Sequence, residues 1–88
     1  MEADGTATIA RLIRRVCLLR IQGNWTGADD LETTLLAAAV REFRATHGSD
    51  ALPDSELQEM FVLEEKQVVA AAIISELLLP QLHVAGGR

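Results

Sequence analysis

The feature that most constrains this chain is an apolar run near its C-terminus, residues 66–82, which reads KQVVAAAIISELLLPQL. Between Val68 and Ile74 the run contains no polar side chain. A segment of this kind fits a membrane span, a buried core helix or a helix that binds a partner. The fold must either bury this apolar run or present it to a partner that buries it.

A membrane span needs about 20 predominantly apolar residues. Here Ser75 and Glu76 interrupt the run, and the charged turn Glu64-Glu65-Lys66 precedes it. A charge near the middle of a span costs roughly 2.5–3.5 kcal/mol even on the most lenient insertion scale. We therefore expect no membrane span.

The apolar run belongs to the third and last helix that the sequence predicts. On a helical wheel this helix has two apolar faces. One is an ordinary core stripe formed by Leu57, Met60, Phe61, Val68, Ala71, Ala72, Leu78 and Leu79. The opposite side, which a monomer would keep polar, carries Val62, Val69, Ile73 and Leu77. A chain this short has one core to offer, so we predict that these four residues form an interaction surface.

Two amphipathic helices precede it. Apolar residues at helical spacing predict a first helix over roughly residues 6–22, and Gly23-Asn24 favours a turn. Thr26 and Asp29 resemble a capping box that starts a second helix, which ends near Gly48. Its predicted core face consists of Ala28, Leu31, Leu35, Leu36, Ala39 and Phe43.

The third helix is predicted to begin at Pro53-Asp54 after a loop over residues 48–52, and to reach about Leu79, where Pro80 ends or kinks it. The sequence thus predicts one small all-α domain over residues 1–88, a three-helix chain made of a helix-turn-helix hairpin and a long C-terminal helix. We expect flexible tails at residues 1–5 and 83–88, and assembly into a helical-bundle oligomer.

Three charged side chains fall on apolar faces: Arg20, Glu32 and Glu64. We predict a partly buried polar cluster in which the guanidinium binds one or both carboxylates. The alternative is a ferritin-like metal site that pools Glu32, Glu64 and Glu65 from several chains. Such sites use Glu-x-x-His, which is absent from this sequence. We assign no metal ligand and no cofactor.

Composition and net charge restrict the classes of function that this chain can have. With 49% hydrophobic but 3% aromatic residues, the core must consist of Leu, Ile, Val and Ala. Residues 1–25 carry a net charge of +2 and residues 26–88 a net charge of -7. This balance repels nucleic acid overall. A weaker alternative is an acidic inhibitor that mimics nucleic acid.

No motif indicates catalysis: the sequence has no glycine-rich phosphate loop and a single cysteine, Cys17. The acidic start MEADGTA lacks the basic region of a secretory signal, so we expect a cytoplasmic setting. We predict a non-enzymatic interaction protein or accessory subunit that self-associates through its C-terminal helix. The expected partner is a second copy, with a dimer favoured, or a heterologous protein.

Overall fold

The computed structural model describes residues 5–86, and their side chains as far as residue 78. The elements are α1 (Thr6–Ile21), α2 (Trp25–Leu31), a π-helical segment (Glu32–Leu36), α3 (Ala37–His47), a 3₁₀ turn (Ser49–Ala51) and α4 (Asp54–Gly86). From α2 to α3 the helix is continuous, and we call it the middle helix (residues 25–47). The described residues contain no strand, which confirms an all-α chain of a hairpin plus a long third helix.

The core is organised around α1, which contacts α2, the π-helical segment, α3 and α4. Its buried residues are Ile9, Ile13, Val16 and Cys17. They follow the spacing of three to four residues that the sequence shows, so one stripe of α1 faces the other helices. Leu36 and Val40 of the middle helix, Leu52 of the second loop and Val68 of α4 complete this core.

The hairpin turn between α1 and the middle helix depends on Gly23 and Asn24. Gly23 has φ 83°, a conformation that glycine adopts without steric cost. The Asn24 side chain accepts a hydrogen bond from the Gly27 backbone N–H at 2.9 Å and caps the helix. The predicted cap at Thr26 is therefore wrong by two residues, because Asn24 already supplies the acceptor that the first turn requires. A Cβ at Gly27 would lie 2.7 Å from the Asn24 side chain, so glycine makes room for this cap.

We expect Asn24→Ala to lower the free energy of unfolding by about 1 kcal/mol, because it removes the only side-chain acceptor of this helix start. Thr26→Ala is the matched control and should change stability by less than about 0.5 kcal/mol. Urea denaturation followed by circular dichroism measures both. A larger loss for the control would restore Thr26 as the cap.

The π-helical segment changes which residues of the middle helix face the core. It contains one more residue per hydrogen-bonded turn than an α-helix does. As a result Leu35, predicted in the core, is 59% exposed, whereas Leu36 and Val40 are buried. The prediction for Leu35 was wrong because the wheel assumed an unbroken α-helix from Ala28 onward.

The second loop, residues 48–53, connects the middle helix to α4. Gly48 has φ 97°, and Leu52 is fully buried. Arg44 spans the loop: its Nε donates to the Leu52 carbonyl at 2.8 Å and its Nη2 to Asp54 Oδ1 at 2.9 Å. These contacts fix the start of α4 at Asp54, as the sequence predicts.

With 33 residues, α4 is the longest element, about 50 Å at 1.5 Å per residue. Its helical backbone continues through Pro80 to Gly86, past the predicted end near Leu79. Residues 83–86, assigned to a flexible tail from the sequence, are thus part of the helix. The remaining tail residues, 1–4 and 87–88, lie outside the described part of the chain.

Candidate protein-interaction surface on the C-terminal helix

The outward side of α4 is apolar and exposed. All four residues predicted for the interaction surface lie in water in this chain, with exposed fractions from 38% at Val69 to 68% at Leu77. We call the full exposed set the α4 apolar surface; it consists of Val62, Leu63, Val69, Ile73, Ile74, Leu77 and Leu78.

Three members of this surface were missed from the sequence. Leu78 was predicted on the core stripe, and that prediction is wrong: it is 50% exposed. Ala71, on the same predicted stripe, is exposed as well. Leu63 and Ile74 were assigned to neither face, and each is 55% exposed. The wheel gives the direction of a side chain but not whether another helix extends far enough to cover it.

The apolar surface widens toward the end of the described side chains. Around Phe61 and Val68 the helix packs on the hairpin with one side and exposes the other. Over residues 73–78, which we call the arm, every residue is exposed. Ile73 and Leu77 lie on one side of the arm, and Ile74 and Leu78 lie on the next. The arm therefore has apolar surface on two sides, and no part of the chain that the structure describes covers it.

Where α4 crosses α1, a charged pair is set into the packing. Glu64 is the only buried charged residue among those described. Arg14 Nε donates to Glu64 Oε1 at 2.8 Å, and Arg14 Nη2 donates to Gln67 Oε1 at 3.3 Å. The carboxylate is almost fully covered while the arginine side chain is half exposed. The arginine thus satisfies a buried acceptor and keeps part of its own hydration.

The predicted polar cluster is therefore divided into two pairs. Arg20 Nη2 donates to Glu32 Oε1 at 2.7 Å, and its guanidinium lies 5.9 Å from the Phe61 ring centroid. Arg20 thus binds one of the two predicted carboxylates, and Arg14 binds the other, Glu64. Arg14 lies on the side of α1 that α4 crosses, where it contacts Glu64 and Gln67.

We expect Arg14→Ala to lower the free energy of unfolding by about 1–3 kcal/mol, because it leaves the buried Glu64 carboxylate without its donor. Arg15→Ala removes the same charge from an exposed neighbouring position and should cost less than about 0.5 kcal/mol. Denaturant titrations of both variants check this. Equal losses would mean that general charge, and not the pair, is what matters.

The arrangement offers little chemistry. Among the described residues no group of three or more His, Cys, Asp or Glu side chains could hold a metal ion. Glu32 and Glu64, two of the three candidate ligands of the metal-site alternative, each bind an arginine. Burial is the main cause that raises the pKa of the Cys17 thiol above its ordinary value of 9.0, and the nearby Glu65 carboxylate adds to it. This thiol therefore stays protonated, and thus a poor nucleophile, at neutral pH.

A groove lies on the α1 side of α4. It lies between α1 and α4, has a volume of about 300 Å³, and is lined by Arg14, Leu18, Gln67, Val68 and Ala71. Leu18 is 41% exposed, and Ile21, three residues further along α1, is 45% exposed. Apolar surface therefore continues from α4 onto α1.

Over the described part of the chain, no helix combines the length and the apolar character needed to cross a membrane. Comparison with protein-family models gives no match, and neither curated proteins nor solved structures match the chain.

Proposed function

We propose that this chain is a non-enzymatic interaction protein that self-associates through the α4 apolar surface. The observation that carries the proposal is the exposure of seven large aliphatic side chains on one helix, four of them within the arm. In soluble proteins in general, a contiguous exposed apolar surface of this kind marks a site of contact with another protein. A second copy presents the same surface, and an apolar surface is complementary to itself.

The energetics support a dimer. Fully burying a Val, Leu or Ile side chain stabilises by about 1.5–3 kcal/mol, so covering one that is half exposed contributes about 1 kcal/mol. Seven such side chains on each of two copies contribute roughly 14 kcal/mol in total. Association costs about 4–15 kcal/mol in lost freedom of motion. The gain from covering this surface is thus similar in size to the cost of pairing two copies.

The small core is a second reason for pairing. The buried apolar residues of the described chain are nine in number, and three of the four largest that are fully covered lie on α1. Chains of this size bury only about 60–65% of their extended surface and are marginally stable alone. Burying the α4 apolar surface between copies would add core that one chain lacks.

We expect Ile73→Glu to convert the oligomer into monomer, because it places a charge at the centre of the proposed interface, where burial without a partner is costly. Light scattering coupled to size-exclusion chromatography reports the mass, and circular dichroism reports the helix content.

Ala38→Glu is the matched control, since it adds the same charge at an exposed position of the middle helix. It should leave the oligomer intact. An unchanged oligomer mass for Ile73→Glu, with intact helicity, would rule out the α4 apolar surface as the interface.

A further inference from the structure

Resting on the self-association proposed above, we infer that α4 of a second copy fills a groove between the middle helix and α4, which we call the second groove. The side of the incoming helix that enters this groove carries Val69, Ile73 and Leu77. The incoming helix runs parallel to the middle helix that receives it. Two observations support this assignment: the gap between the two helices and the positions of the charges along it.

The middle helix and α4 leave a gap between them. α1 packs against both, but among the described residues no Cα atom of the middle helix lies within 8 Å of a Cα atom of α4. Helices in direct contact have axes about 8–10 Å apart, which brings some of their Cα atoms closer than that. The two helices are therefore neighbours of α1 without packing closely on each other.

Three adjoining cavities form the second groove along this gap. Their volumes are about 560, 460 and 430 Å³. The first and second share Arg20 and Glu65, and the second and third share Leu57 and Phe61. An apolar groove of this kind suits the apolar side of a helix. Val62 of the α4 apolar surface also lines the second cavity, so that surface and the groove are continuous.

The arm of the same chain lies too far away to enter the second groove. α4 is a single helix from Asp54 to Gly86, so Ile73 lies about 18 Å beyond Phe61 along the helix axis. The exposed side of α4 and the groove can therefore meet only between two chains.

The two ends of the second groove differ in charge. Asp29, Asp30 and Glu65 line one end, and Arg41 lines the other. None of these four side chains belongs to a salt bridge within the described part of the chain. One end is therefore acidic and the other basic, and both are available to a partner.

The exposed side of α4 carries one charge of each sign. Lys66 lies seven residues before Ile73, and Glu76 lies seven residues after Val69. This spacing places both charges on the side of α4 that Val69 and Ile73 form. They are ten residues apart, or about 15 Å.

The charges of the groove have the same spacing. Asp30 and Arg41 are eleven residues apart, and the π-helical segment between them contains one extra residue, so they too lie about 15 Å apart. With parallel helices, Asp30 is level with Lys66 of the partner subunit, and Arg41 is level with Glu76 of the partner subunit. The reverse direction would bring like charges together at both ends, which disfavours an interface.

Charge reversal tests this direction. Arg41→Glu and Glu76→Arg, made separately, should each raise the dissociation constant of the dimer about tenfold, because each makes a pair at both symmetric sites repulsive. The double variant restores opposite charges and should return close to the unmodified chain. Arg15→Glu changes the net charge as Arg41→Glu does, at an exposed position outside the groove, and should change the constant less than about twofold. Sedimentation equilibrium measures the constants, and circular dichroism checks the helix content.

Cysteine cross-linking tests the same placement without relying on charge. Ala37 lines the second groove four residues before Arg41, and Ile73 lies three residues before Glu76. In the proposed pair these two positions are level to within about 2 Å, and a disulfide requires Cα atoms within about 7 Å. Ala37→Cys and Ile73→Cys are made separately in a Cys17→Ala background, one of them carrying an affinity tag.

We expect a mixture of the two cysteine variants to yield a covalent dimer that contains one tagged and one untagged chain. Absence of this cross-link in a chain that still self-associates, or equal effects of Arg41→Glu and Arg15→Glu, would overturn the inference but leave self-association intact. A monomer mass for the unmodified chain by native mass spectrometry would overturn self-association itself. The Cys17→Ala parent must keep its helix content and mass, which separates these outcomes from misfolding.

Discussion

The difference in length between α1 and α4 determines which apolar side chains of this protein are exposed. α1 has 16 residues and α4 has 33, which correspond to about 24 Å and 50 Å. Since α1 is the helix that contacts all the others, only the part of α4 that crosses it is covered. From Ile73 to Leu78, where the described side chains end, the residues that would form a core stripe in a longer bundle face water. The exposed arm is therefore a direct consequence of how short the hairpin is.

The covered part of α4 is fixed by contacts of different strength. Val68 enters the common core with Ile13 and Leu36, which supplies most of the burial, while the Arg14–Glu64 pair fixes how α4 lies across α1. A buried carboxylate with one donor tolerates little sliding, because moving α4 along α1 would separate the charges. The pair thus restrains the position of the helix, and with it the direction in which the arm leaves the hairpin.

Much of this architecture is legible in the sequence because apolar spacing depends on helix geometry alone. That spacing predicts α1, the middle helix and the outward side of Ile73 and Leu77, and Pro53 with the acidic residues after it predicts the start of α4 at Asp54. The features that apolar spacing does not predict are those that depend on tertiary contacts. No residue pattern predicts the π-helical segment that turns Leu35 outward. A helical wheel also does not predict which arginine binds Glu64, or how much of α4 the hairpin covers.

Burial of the α4 apolar surface by a second copy, as proposed, would complete the core of this small chain. Thermal and urea unfolding at protein concentrations about 100-fold apart tests it most directly, because only an assembly gains stability by mass action. For a dimer we expect the unfolding midpoint to rise with concentration, by an amount equivalent to about 2.7 kcal/mol per dimer. Identical midpoints at both concentrations, with a single cooperative transition, would contradict it.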